Sequence, residues 1–117
     1  MKEFLMRVLG YVSFLSAGLL TACAQPPSAI QPVYVSPVTY QDWTCEQLDD
    51  EEVDLSNSYT TAAAQQQSAR TADEWGVALT GLPTASISGA NIAPEIASIK
   101  GQQAAVRQAK IQKNCSG

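Results

Sequence analysis

The sequence predicts an all-α protein built on two helices that are joined by an apolar loop. Two segments, about 44–75 and about 92–114, repeat apolar residues at spacings of three and four, the period of a helix with one buried face. Between them, residues 76–91 are apolar but are broken by glycines and Pro83. Before them, residues 24–41 hold four of the six prolines, which discourage both helix and interior strand.

The first residues have the layout of a signal peptide. Lys2 and Arg7 give a positive start, residues 8–20 are almost wholly apolar or small, and small residues precede Cys23. An apolar run of about a dozen residues falls short of the ~20 that cross a bilayer as a helix. Cleavage is therefore favoured over a permanent transmembrane anchor.

The stretch Leu20-Thr21-Ala22-Cys23 resembles the lipobox that the signal peptidase of bacterial lipoproteins reads. The resemblance covers residues 1–23. It implies that residues 1–22 are removed, and that Cys23 carries a diacylglyceryl group on its sulfur and a further acyl chain, such as palmitate, on its new amino group. It also implies the bacterial cell envelope, and Ala24 in place of an acidic residue favours the outer membrane, facing the periplasm. The alternative is an ordinary signal peptide with Cys23 unmodified.

If Cys23 is lipidated, the two remaining cysteines, Cys45 and Cys115, are expected to pair. The envelope is an oxidising compartment, and a small secreted domain gains most from a disulfide. Closing a loop of about 70 residues stabilises a fold by on the order of 4 kcal/mol in the chain-entropy model. The expected fold class is thus an antiparallel two-helix hairpin closed by a disulfide. Pairing with a cysteine of another subunit is the alternative.

Composition argues against several function classes. Acidic residues outnumber basic ones by 11 to 7, so nucleic acid and anionic lipid surfaces are poor partners. The chain has no histidine, and it lacks a glycine-rich loop for phosphate, so no enzyme, cofactor or metal site is predicted. The acidic residues between 46 and 54 lack the glycine spacing of a calcium-binding EF-hand loop, and a solvated helix face is expected instead.

Residues 23–41 are predicted to be a lipidated, Pro-rich tether. Extended as polyproline II at about 3.1 Å per residue, it could reach roughly 55 Å. The alternation of Val33, Tyr34 and Val35 allows a second interpretation, an edge strand added to a partner.

The helical hairpin domain is predicted over 42–117, and its first helix has a well-marked start. Thr44 and Gln47 fit a capping box, and Trp43 with Leu48 fits a hydrophobic staple. Gly76 is the expected helix stop. The positions expected to face inward are Leu48, Glu52 or Val53, Leu55, Tyr59, Ala62, Gln66, Ala69 and Asp73.

The second helix should begin around Asn91 or Ala93, which puts Pro94 in the first turn, where proline is tolerated. Gly101 costs about 1 kcal/mol relative to alanine in mid-helix, so a neighbour should need that space. If the helices are antiparallel and Cys45 pairs with Cys115, facing residues have numbers that sum to about 160. That register sets Leu48 opposite Ile111, Tyr59 against Gly101 and Ala63 against Ala97, with Arg107, Lys110 and Lys113 beside the acidic start of the first helix.

The loop has two interpretations. Val77, Leu79, Leu82 and Ile87 could fold back over the end of the helices, or Trp75, Leu79, Leu82 and Ile87 could contact a partner. The two helices could also form half of a four-helix bundle in a homodimer.

The function expected from these features is non-catalytic. A membrane-anchored envelope lipoprotein would present a small helical hairpin to a protein partner, as an accessory or structural subunit of an envelope assembly. The alternative is a module that binds a small ligand or a cell-wall component through loop 76–89, with Trp75 as an aromatic platform.

Overall fold

The computed structural model describes residues 1–7 and 23–116. The predicted apolar core of the signal peptide, the first three residues of the lipobox and Gly117 lie outside the described residues. Residues 2–7 are helical, and the rest of the described chain contains three further helices: α1 (Cys45–Thr80), α2 (Thr84–Ile87) and α3 (Ala93–Gln112). Two 3₁₀ turns, Pro27–Ala29 and Pro37–Tyr40, precede them. The described part is all-helical, and none of its helices is long and apolar enough to cross a membrane.

The start of α1 is the predicted one. The Thr44 hydroxyl accepts a hydrogen bond from the Gln47 amide at 3.1 Å, and the Gln47 side chain accepts one from the Thr44 amide at 2.9 Å. This capping box satisfies two of the backbone donors that a helix start leaves unpaired. Trp43 is half-buried, and its ring meets that of Tyr40 edge to face with centroids 5.0 Å apart.

The predicted stop at Gly76 is wrong, since α1 continues to Thr80 and ends at Gly81, whose φ is 76°. Gly76 instead makes room for the chain that returns past it. A Cβ there would lie 2.6 Å from both the Leu82 carbonyl oxygen and the Thr84 hydroxyl. The predicted loop 76–91 is therefore shorter, and it contains α2.

α1 and α3 pack along each other, and their contacts follow the predicted register. Lys110 lies 2.7 Å from a carboxylate oxygen of Asp49 and of Glu52, and the Ile92 amide donates to the Gln66 side chain at 2.8 Å. The predicted disulfide between Cys45 and Cys115 joins the start of α1 to the residues just after α3.

Several details of the α3 face differ from the prediction. Ile111 does not cover Leu48; it is 68% exposed, whereas Ala105 and Ala109 are buried. Arg107 lines one depression together with Glu52 and Lys110, as the predicted register requires, but among the described residues only Lys110 forms ion pairs with the acidic start of α1. α3 also ends before the predicted 114, and Asn114 follows it with a φ of 54°, in the left-handed conformation common after helix ends.

The predicted spacer over 24–41 is also wrong, because this segment packs on the helices. Ile30 and Tyr40 are buried in the core. The ammonium group of Lys100 donates to the carbonyl oxygens of Pro27 and Ile30 at 2.6 and 2.7 Å, and the Val33 amide donates to the Ala97 carbonyl at 3.0 Å. Proline prevents regular structure here, but it does not prevent burial.

Packing of the segment also explains Gly101. The expected need for space at this position is confirmed, but the neighbour is not Tyr59. A Cβ on Gly101 would collide with the Val33 carbonyl oxygen. The molecule is elongated, 72 × 28 × 19 Å. The predicted two-helix hairpin is incomplete as a description, because residues 24–40 form a third layer along the helices.

Candidate membrane-attachment site

The site begins at Cys23, the cysteine of the predicted lipobox. Cys45 and Cys115 are joined, with Cα atoms 5.6 Å apart, whereas Cys23 has a free, half-buried thiol. Cys23 is thus the cysteine that the described structure leaves available for modification.

A buried carboxylate fixes the residue after Cys23. Asp73, fully buried on α1, accepts a hydrogen bond at Oδ2 from the Ala24 amide at 2.8 Å. Its Oδ1 accepts from the Ser86 amide at 2.9 Å, and Oδ2 also accepts from the Ser86 hydroxyl. We call Asp73, Ser86 and the Ala24 amide the anchor clamp. It ties the chain beside Cys23 to the end of α1 and to α2.

Amide side chains extend the anchor clamp toward the middle of the molecule. Asn91 donates to the Ser86 hydroxyl oxygen at 3.3 Å, and the buried Gln66 donates to the Asn91 side chain at 2.9 Å and to the Gln25 carbonyl at 3.0 Å. Every fully buried polar side-chain atom of the described residues has a hydrogen-bond partner. A satisfied network of this kind holds its members in one arrangement.

The electrostatics of Asp73 suit an ionised carboxylate. Burial acts to raise its pKa, but the hydrogen bonds from the Ser86 side chain and from the amides of Ser86, Ala24 and Ala85 together outweigh that effect and lower the pKa below its ordinary value. Asp73 is therefore charged at neutral pH, and its bonds to the backbone are charge-assisted.

Apolar side chains surround this end of the molecule. Trp75, Leu79, Leu82 and Ile87 are 65%, 77%, 53% and 67% exposed. We call these four residues the loop-end patch. The expectation that Val77, Leu79, Leu82 and Ile87 cover the helix ends is wrong, because Val77 is exposed as well, and the returning chain is held to α1 by the buried Ala85 instead. The predicted partner-contact residues are thus all accessible.

The opposite end carries the charge. Asp49 and Glu52 both pair with Lys110, and these hydrogen bonds raise the pKa of Lys110 above its ordinary value. Residues 75–94, by contrast, contain no acidic or basic side chain. The molecule is therefore polarised along α1, with a cluster of exposed acidic residues at the disulfide end and an apolar end beside Cys23 whose central charge, Asp73, is buried.

The concave surfaces are open. A groove of about 330 Å³ runs between the 32–37 segment and α3, and a depression beside Trp75 is lined by Glu74 and Ala78. Among the residues that the structure describes, no cluster of histidine, cysteine or acidic side chains could hold a metal ion.

Comparisons with protein-family models, with curated proteins and with solved structures found no match. The functional interpretation therefore depends on the residues themselves.

The anchor clamp was not predicted, although the sequence contains a signal for it. Gln66 and Asp73 lie on the inward stripe of α1, seven positions apart, among alanines. A carboxylate at a core position needs hydrogen-bond donors, and this requirement pointed to some returning segment. The sequence gives no indication that the donor would be the backbone amide of Ala24.

Proposed function

We propose that this chain is a non-catalytic lipoprotein of the bacterial cell envelope that presents its helical body to a protein partner. Residues 1–22 are removed, Cys23 is acylated, and the protein faces the periplasm from the outer membrane. The resemblance of Leu20-Thr21-Ala22-Cys23 to a lipobox supports this proposal. So does the free thiol of Cys23, because Cys45 and Cys115 are bonded to each other.

The observation that carries the proposal is the hydrogen bond between the Ala24 amide and Asp73. Consecutive Cα atoms are about 3.8 Å apart, so the acylated residue would stand next to a fixed point of the fold. A lipid attached there holds a rigid body instead of a body on a long tether. The protein would act by holding its helical body at a fixed place relative to the membrane.

The length of α1 sets the distance that this positioning provides. At about 1.5 Å per residue, Asp73 and Cys45 are about 42 Å apart along the helix. The partner-facing part is then the antiparallel pair α1 and α3 with its disulfide-bonded, charged end. A homodimer would place two such ends together.

Acylation is tested by growing cells that express the protein with an alkyne analogue of palmitate, followed by mass measurement of the mature chain. We expect label on the wild type and a mass that fits removal of residues 1–22. Cys23→Ala should lose the label. The matched control, Cys45→Ser with Cys115→Ser, retains Cys23 and should keep the label. An unlabelled wild type would refute the lipoprotein assignment.

Partner presentation needs a separate test. The lipidated protein is crosslinked in its own envelope and purified under denaturing conditions through an affinity tag. Reproducible recovery of a second protein, crosslinked through residues near the charged end, is the expected result. Recovery of a monomer alone would count against a presenting role and would leave acylation untouched.

A further inference from the structure

The loop-end patch has no partner within the described structure, and its position suggests one. Ile87 follows Ser86, whose amide and hydroxyl bind Asp73, and Trp75 and Leu79 lie within two turns of Asp73 at the same end of α1, on its outer face. The same Asp73 holds the amide of Ala24. The anchor clamp thus gathers Cys23 and the loop-end patch at one end of an elongated molecule.

We infer that the loop-end patch inserts into the surface of the bilayer that holds the acyl chains of Cys23, so that the protein has a lipid anchor and a protein anchor side by side. This inference rests on the proposed acylation of Cys23. It names the lipid bilayer, and not a protein, as the surface that covers Trp75, Leu79, Leu82 and Ile87.

Charge distribution favours a bilayer as the occupant. Residues 75–94 are uncharged, the Asp73 carboxylate that binds Ser86 is fully buried, and the exposed Glu74 and Glu95 flank the segment at its two ends. Glu74 is paired with Arg70 at 3.1 Å, one helical turn away. Charged groups are costly inside a bilayer, whereas tryptophan is favoured at its interface. The uncharged segment is therefore bounded by exposed acidic side chains, which would stay outside the bilayer.

The arrangement also orients the molecule. The diacylglyceryl group and the further acyl chain proposed for Cys23 already give stable attachment, because several chains together bury many methylene groups. Exposed aliphatic and aromatic side chains beside the lipid supply apolar area without further ordering of the chain. They also fix the direction of α1 relative to the membrane, which lipid chains alone do not.

The two tryptophans allow a direct test on the lipidated, full-length mature protein. Trp43→Phe leaves Trp75 as the reporter of the loop end, and Trp75→Phe leaves Trp43, which precedes α1 at the charged end. Each variant is reconstituted into vesicles of the uncharged lipids phosphatidylethanolamine and phosphatidylcholine, whose acyl chains carry bromine, a short-range quencher. We expect Trp75 to shift its emission to shorter wavelength and lose intensity, while Trp43 keeps both.

Two isoleucines of matched exposure test the role of the patch. Ile87 is 67% exposed at the loop end and Ile111 is 68% exposed near the disulfide. In the Trp43→Phe background, Ile87→Asn combined with Leu79→Asn should lower the quenching of Trp75 by brominated lipid. Ile111→Asn should leave that quenching unchanged. Thermal unfolding of each variant verifies that the fold is intact, as is expected for exposed positions.

Other results would overturn the inference. Quenching of both tryptophans would mean that the molecule lies flat, and quenching of neither would mean that the patch stays in water. Protection of Trp75 from acrylamide only when envelope proteins are added would assign the patch to a protein. The mass of each sample reports acylation independently. An acylated protein whose Trp75 is unquenched thus rejects this inference alone, whereas an unmodified Cys23 rejects the proposed function.

Discussion

Replacing Gly101 with alanine tests whether the N-terminal segment packs on α3. On a free helix this change would stabilise the protein by about 1 kcal/mol, because alanine is the better helix former. Here the new Cβ would collide with the Val33 carbonyl oxygen, so the segment must move. This movement of the segment would weaken the hydrogen bond from the Val33 amide to the Ala97 carbonyl and would expose Ile30.

The two effects have opposite signs, and their sizes decide the outcome. The hydrogen bond contributes about 1 kcal/mol and the buried isoleucine about 2 kcal/mol. After the propensity gain of about 1 kcal/mol is subtracted, Gly101→Ala should lower the free energy of unfolding by about 2 kcal/mol. Urea unfolding followed by circular dichroism measures this. Thermolysin should also cleave the 24–41 segment faster.

Ala104→Gly is the matched control. Ala104 is exposed on the same helix, so glycine there should cost about 1 kcal/mol through helix propensity alone and leave the cleavage rate of the segment unchanged. A Gly101→Ala protein that is more stable than the wild type, with unchanged cleavage, would refute the packing of residues 24–40 described above.

Three further outcomes are expected. Cys45→Ser with Cys115→Ser should lower the free energy of unfolding by about 4 kcal/mol, measured with and without reductant, and no loss would show that the bond does not constrain the unfolded chain. Because the Asp73 pKa is lower in the folded state than in the unfolded state, its ionised form stabilises the fold above about pH 4, and this stability is lost as the pH falls through the folded-state pKa. Asp73→Asn should therefore lower stability at pH 7 by about 2–4 kcal/mol and flatten the acid transition, whereas the exposed Asp54→Asn should do neither. Lys110→Met should leave the urea midpoint of unfolding at pH 7 nearly unchanged, since the carboxylates that Lys110 pairs with are partly exposed, and a clear fall in that midpoint would mean that these ion pairs hold the helices together.

Helical periodicity and capping chemistry predicted most of the helical framework. The predicted inward positions of α1, from Leu48 to Asp73, are buried or half-buried except for Val53. The predicted capping box of Thr44 and Gln47 is also present. These features depend only on neighbouring residues or on the repeat along one helix, so they can be predicted from the sequence alone. The register between α1 and α3 followed from a single long-range constraint, the bond between Cys45 and Cys115.

The errors involve residues whose role depends on distant neighbours. Gly76 and Gly101 are both in helices, and each gives space to another segment, at Leu82 and at Val33. A glycine that ends a helix and one that admits a neighbour look the same in a sequence. Lys100 likewise appears as a surface charge until its two carbonyl acceptors are known. The predicted tether was wrong for this reason, because those acceptors lie about 70 residues away along the chain.

The anchor clamp also constrains the order of maturation. Under the proposed processing, the lipoprotein signal peptidase must cut between Ala22 and Cys23, and the amide of the following residue, Ala24, is buried against Asp73 in the folded protein. An extended substrate cannot enter a protease while its neighbouring residue is sequestered. Acylation and cleavage should therefore precede docking of the N-terminal segment, and the freshly cut end would complete the fold when it reaches Asp73. Lipid attachment would then act as a timing step, after which the molecule becomes rigid against the membrane.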